Sequence, residues 1–245
     1  MFALPHQTIQ SYTYSLNEAL ALGTEHISAY SLIYEEGTPL YAQLLRNEVT
    51  PLDEDTDTRL YELTMHTLTA HGYTQYEVSN FAKNGKRCRH NLAYWSAREY
   101  TAFGPSAHGY SDSQRYWNYR NLTRYMDSLR RNQLPVANTE TLSSTDTFYE
   151  RVFLGLRSTG INLHSIQTEF GFDVAALAAT ELDVWEKEAL IENKNGVLTL
   201  TQSGYTLCDE ITVRLLATIE QKTGIEWQQH EYKENDTDIP LPVLG

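Results

Sequence analysis

Cysteine is nearly absent: Cys88 and Cys208 are the only two in 245 residues, and they lie far apart. A disulfide framework is therefore excluded, and a reducing, cytoplasmic setting is expected. No apolar run approaches the roughly 20 residues needed to span a bilayer. The opening segment Met1-Phe2-Ala3-Leu4-Pro5 has no basic stretch and no long apolar stretch, so no secretory signal is expected. It begins inside a strand-like run, from which a fragment of a longer protein is expected. Basic residues are also scarce: 19 Lys and Arg stand against 32 Asp and Glu, for a net charge of −13. Duplex DNA is bound chiefly by neutralising phosphates, so this balance argues against nucleic acid as a partner.

What is present is core material. Hydrophobic residues make up 41% and aromatics 11%, and 17 of the aromatics are tyrosines. Tyrosine keeps a polar tip, so many of them suit a groove or an interface rather than a dry interior.

Phe2 to Leu4 reads as the end of a strand stopped by Pro5. Thr8 can cap a helix running to about Leu22, with Ile9, Tyr12, Leu16, Ala19 and Leu20 at helical spacing and Gly23 at its end. His26 to Leu32 reads as a strand, so the opening forms a strand–helix–strand unit with parallel strands. The acidic run Asp53 to Asp57 starts a further helix ending near His71, where negative charge suits the helix dipole. Tyr73 to Val78 reads as a strand, Lys83 to His90 as a basic loop, and Tyr100 to Phe103 as a short strand.

Beyond this the character changes. Helices are expected over Asn121–Arg131 (Leu122, Tyr125 and Leu129 inward), Ser144–Arg157 (Phe148, Val152 and Leu156 inward), Asp173–Leu190 and Gln202–Ile219. Asn195-Gly196 between apolar flanks signals a hairpin over Leu190–Leu200. Helices around a hairpin wing suggest a small winged-helix-like module.

The chemistry concentrates in Lys83 to Trp95, which holds four Lys and Arg, no acid, one His and two aromatics within a strongly acidic chain. Basic side chains meet carboxylates, Tyr94 and Trp95 offer flat faces, and His90 can ligate a metal through a ring nitrogen. A heme needs all three. A Lys/Arg loop is more commonly a solvated surface, and a Tyr-Trp pair more commonly core. His108 could be a second metal ligand, although a hydrogen-bonded structural role is the commoner one. Solvated helix-start charge is likewise the commoner reading of Asp53–Asp57. Cys208 reads as a small apolar residue within a helix.

Three long motifs carry a resemblance: Gly72-Tyr73-x-x-Tyr76-Glu77-Val78-Ser79-Asn80-Phe81-Ala82, Cys88-x-His90-Asn91-x-x-Tyr94-Trp95, and Tyr100-x-x-Phe103-Gly104-Pro105-Ser106-Ala107-His108. With the weaker Leu154-Gly155-Leu156-Arg157 and Leu200-Thr201-x-x-Gly204, the chain resembles the HemW branch of the radical SAM proteins related to oxygen-independent coproporphyrinogen III oxidase. The resemblance implies an α/β fold: the C-terminal part of a partial (β/α) radical SAM barrel over residues 1–134, then a helical, winged-helix-like C-terminal domain over 135–222 and a mobile tail over 223–245. It implies heme binding and delivery to a client protein. His90, Asn91, Tyr94 and Trp95 would be the heme contacts and His90 the metal ligand, with Lys86, Arg87 or Arg89 near the propionates. Membrane contact would come only through the client.

Two departures qualify this. The family's Cys-x-x-x-Cys-x-x-Cys motif, which holds a [4Fe–4S] cluster with S-adenosylmethionine, is missing, as are the glycine-rich strands that bind S-adenosylmethionine. The cofactors are thus implied for the intact family protein and not for this chain, which is expected to be inactive alone. The oxidases resemble Gly-Met-Asp-His-Phe-Ala where this chain has Glu77 to Ala82, which favours the chaperone branch. Anaerobic oxidative decarboxylation of coproporphyrinogen III by the intact protein is the alternative, and a winged-helix nucleic-acid binder a remote third. Unpaired strand edges near Phe2–Leu4 and Ile27–Leu32 lead us to expect self-association.

Overall fold

The computed structural model describes residues 1–225; all of the expected 223–245 tail past residue 225 lies outside the described residues. The opening strand–helix–strand unit is present in reduced form. Phe2 makes a parallel bridge to Ser31, with Phe2 N–H to Tyr30 O and Leu32 N–H to Phe2 O both at 3.0 Å. Between them runs α1 (Ile9–Ala21), closed at its start by a reciprocal Thr8–Ser11 capping box. Its apolar stripe buries Tyr12 and Leu16. Next come β1 (His26–Ser28), α2 (Pro39–Leu45) and α3 (Glu54–Ala70). Asp53 caps α3 by accepting the Thr56 N–H at 2.8 Å, and Asp57 accepts the Ser31 hydroxyl. The acidic run thus serves the helix start.

β2 (Thr74–Glu77) and β3 (Asn80–Ala82) join β1 in an antiparallel sheet ordered β1–β3–β2. Among the described residues every sheet is three-stranded and no barrel closes. The basic loop is shorter than expected, because α4 (Arg89–Trp95) takes over at Arg89.

A second antiparallel sheet, unforeseen, holds β4 (His108–Ser111), β5 (Gln114–Asn118) and, after α5 (Leu122–Arg130), β6 (Val136–Thr141), in the order β4–β5–β6. The strand expected at Tyr100–Phe103 shrinks to a single bridge from Tyr100 to Tyr110. The expected inward face of α5 is also a correction. Leu122 and Leu129 are exposed, and Tyr125 is anchored instead through its hydroxyl, which accepts the Gly104 N–H at 3.1 Å.

The remainder comprises α6 (Ser144–Leu156), β7 (Ile161–Asn162), α7 (Leu163–Phe170), α8 (Val174–Leu177), α9 (Ala179–Lys187), β8 (Ile191–Lys194), β9 (Val197–Leu200), α10 (Gln202–Thr206) and α11 (Cys208–Thr223). The hairpin turns at Asn195-Gly196, both at positive φ, and β7 adds to it in the order β7–β9–β8. Two helices expected to be continuous are broken, at Ala178 and at Leu207, where φ falls to −110° and −113°. The first break lets Val174 and Trp185 both enter the core.

One apolar cluster joins Met65, Leu68, Tyr73 and Phe81 to Phe148, Val152, Leu198 and Leu215. A smaller one gathers Phe2, Tyr12, Leu16 and Leu60. The first and last parts of the chain therefore share a core. Among the described residues no helix is long and apolar enough to cross a membrane.

Candidate functional site

The first motif forms β2, a tight Val78-Ser79 corner and β3. Glu77 is 0% exposed: its Oε2 accepts the Ser79 N–H at 3.2 Å, while Oε1 has no hydrogen-bond partner among the described residues. Burial holds this carboxyl above the usual range, opposed by hydrogen bonds from Ser79 and Asn80. The corner is tied to the C-terminal part by Val78 N–H to Arg157 O at 2.8 Å and by the Tyr61 hydroxyl to Val78 O at 2.6 Å.

Tyr76 links this motif to the next. Its hydroxyl accepts the Cys88 N–H at 3.2 Å and lies 2.8 Å from His26 Nε2. Burial raises its pKa. This anchor, which sequence reading treated only as part of a strand, fixes the residue from which α4 begins. The Cys88 thiol in turn donates to Asn91 Oδ1 at 3.4 Å.

The helical form of α4 sorts the candidate heme contacts. At 100° per residue, positions four apart share a face. His90 thus stands with Tyr94, ring centroids 4.7 Å apart and edge to face, and both are exposed. Asn91 and Trp95, both half-buried, occupy another face, and Trp95 lies about 140° around the helix from His90. Tyr94 continues onto Tyr100 at 4.4 Å and Tyr100 onto Tyr110 at 6.4 Å, an aromatic series that the sequence did not reveal.

The basic residues also separate. Lys86 pairs with Glu25 at 3.3 Å, Lys83 sits over the Tyr73 ring at 4.5 Å, and Arg87 lies 5.8 Å from the Tyr76 ring centre. Arg89, exposed at the start of α4, is the cation next in sequence to His90. His108 is on β4, stacked with Trp117 at 5.8 Å.

Cys88 is half-buried and Cys208 buried, with burial pushing the Cys208 thiol up to about 11. Among the described residues no three His, Cys, Asp or Glu side chains converge. This donor set does not fit a [4Fe–4S] cluster of the radical SAM kind, which needs three clustered thiolates.

The HemN C-terminal domain family matches residues 142–207. The heme chaperone HemW of Bacillus subtilis is 35% identical over 212 residues, covering 86% of this chain and 56% of that protein. Its counterpart in Mycobacterium tuberculosis is 33% identical, covering 88% and 54%. The chain thus spans about half the length of the curated relatives it matches. The solved coproporphyrinogen III oxidase HemN of Escherichia coli, a radical SAM enzyme, superposes with a TM-score of 0.65 at 16% identity, covering 87% of this chain and 53% of that one, which speaks to the fold. The chain is thus similar over most of its length to the heme chaperones HemW, its residues 142–207 match the HemN C-terminal domain, and its sequence holds no Cys-x-x-x-Cys-x-x-Cys motif.

Proposed function

We propose that this chain is the heme-contacting part of a cytoplasmic heme-delivery protein, and that α4 carries the contact. The observation behind this reading is the exposed His90–Tyr94 pair at the start of a helix pinned by Tyr76, in a chain whose relatives are named heme chaperones. His90 offers one imidazole to the iron of heme, which is cargo here. Tyr94 packs beside the ring, and Arg89 meets a propionate. A single protein ligand on an exposed helix suits delivery, because the opposite axial position stays accessible to a client's ligand. Ion pairs at so exposed a surface contribute about 0–1 kcal/mol, so ligation and packing carry most of the affinity.

The test is a Soret titration of wild type and His90→Ala, with melting curves on both. The expected result is equal melting, a shifted Soret band and a heme affinity at least about tenfold lower, equivalent to 1.4 kcal/mol. Unchanged affinity and Soret position in a normally melting variant would remove His90 from the site.

A further inference from the structure

The chain is not held together evenly. Its first and last parts share a core, but neither apolar cluster takes a residue from the stretch between Lys83 and Thr141. Pro135 aside, no apolar side chain in that stretch is buried, and Phe103, Leu122 and Leu134 are 86%, 63% and 84% exposed. The stretch holds α4, β4, β5, α5 and β6. Among the described residues none of these packs broadly on a helix or strand outside it.

Hydrogen bonds order the stretch instead. Two antiparallel ladders join β4, β5 and β6. Asn118, 3% exposed, donates through Nδ2 to Gly104 O and through its backbone N–H to Ala107 O, both at 2.9 Å. Polar contacts also bridge it to the rest of the chain, the body. Tyr76 holds the Cys88 N–H at one end. At the other, Arg115 on β5 pairs with Glu140 on β6 at 3.4 Å and reaches across to Glu150 on α6. The chain enters through the exposed Asn84-Gly85 turn, where both residues hold positive φ and a Cβ on Gly85 would meet nothing within 4 Å.

We infer that residues 84–141 form a separate cooperative lobe that opens while the body stays folded, with the Arg115–Glu150 pair as its latch. Apolar burial is the main source of resistance to unfolding, and here it is concentrated outside the lobe, at Phe148, Val152, Leu198 and Leu215 among others. Segments with few buried apolar contacts and exposed backbone hydrogen bonds open at a lower free energy than the core. The latch is partly shielded, with 29% of the Arg115 side chain and 26% of the Glu150 side chain exposed. α4 belongs to the lobe. If α4 carries heme as proposed above, opening releases the cargo without disturbing the core, but the lobe itself rests on no heme contact.

The test is hydrogen exchange of the heme-free 245-residue chain, followed by mass spectrometry in rising urea. Peptides from 108–118 and 136–141 report on the lobe, and peptides from 148–156 and 211–219 on the body. Lobe amides should be protected, yet exchange at least about tenfold faster than body amides. Their urea dependence should be weaker, because local opening exposes less surface than global unfolding. Glu150→Gln keeps the size of the side chain and removes the latch charge. It should speed lobe exchange severalfold and leave body exchange unchanged. One shared rate and urea dependence for lobe and body would overturn the inference. So would lobe amides without protection, which leave no closed state, or a Glu150→Gln variant that alters both parts alike or neither. No heme is present, so failure of the heme contact leaves this result standing, and failure of the lobe leaves the Soret test standing.

Discussion

The hydroxyl of Tyr76 accepts the backbone N–H of Cys88 at 3.2 Å, so a residue of β2 holds the turn from which α4 starts. Tyr76 is 4% exposed and also contacts His26. Tyr76→Phe removes both hydrogen bonds, leaving the Cys88 N–H and His26 Nε2 without that partner. The expected cost is about 1–2 kcal/mol, read as a lower melting temperature. Heme affinity should fall while the Soret position stays that of wild type, because His90 remains. A shifted Soret band in this variant would mean that Tyr76 itself approaches the iron.

The helical form of α4 separates Tyr94 from Trp95. Tyr94 is exposed and packs on His90 and Tyr100, whereas Trp95 is half-buried on another face. Tyr94→Ala should change thermal stability by less than about 1 kcal/mol yet weaken heme binding. Trp95→Ala should cost about 2–3 kcal/mol and affect heme only in proportion to unfolding. Equal specific losses of heme affinity in both variants, at unchanged melting temperature, would show that the ring spans both faces.

How much of this was legible in the sequence follows the strength of local signals. Thr8 and Gly23 bound α1 and Asn195-Gly196 turns the wing hairpin, and all stand where cap and turn chemistry put them. The second sheet was missed because its hairpin turns on Asp112-Ser113, both at positive φ, without the usual glycine. β6 carries the mostly polar run Val136–Thr141 and reads as a linker. α4 spans only 7 residues and its N-cap Cys88 makes no side-chain cap bond, so neither length nor cap announced it. The site motifs were legible as residues. Their sorting onto different faces of α4 was not, since it depends on that unannounced helix.

Glu77 gives the protein a definite pH dependence. Burial raises its pKa in the folded state, so the folded protein holds the proton more tightly than the unfolded chain does. Its contribution is therefore full below the ordinary carboxylate range and is lost as pH rises through the raised value. Glu77→Gln removes the charge while keeping an acceptor for the Ser79 N–H. The difference in melting temperature, variant minus wild type, should grow as pH rises across that window and then level off. Parallel curves would mean that Glu77 does not change its proton affinity on folding.

Gly204 sets how α10 docks on the wing. A Cβ there would lie 1.9 Å from Leu190 O, a backbone atom that also accepts the Thr201 N–H at 2.9 Å. It cannot move aside without breaking that contact. Gly204→Ala should cost about 2–3 kcal/mol. Gly171 is the control: it sits at φ +80°, and a Cβ there would meet nothing within 4 Å. Gly171→Ala should cost only the left-handed backbone penalty of about 1 kcal/mol. Equal costs in melting experiments would show that α10 can shift to relieve the contact.

The cofactor of the wider family asks for more thiolates than this chain has. A [4Fe–4S] cluster that binds S-adenosylmethionine on its open iron takes three thiolates from a compact loop. This chain has two thiols, on the N-cap of α4 and at the start of α11. The second is buried, and its pKa of about 11 keeps it protonated at neutral pH. Anaerobic reconstitution of the chain with iron and sulfide should therefore give no stoichiometric cluster absorbance, and incubation with S-adenosylmethionine and reductant should give no deoxyadenosine. Heme binding should be the same before and after that treatment, because the ligation proposed for His90 needs no cluster. The same readouts on Cys88→Ser should match wild type. A stable cluster with deoxyadenosine formed, abolished in Cys88→Ser, would mean that ligands other than the two cysteines complete the site, and the separation of heme contact from radical chemistry would fail.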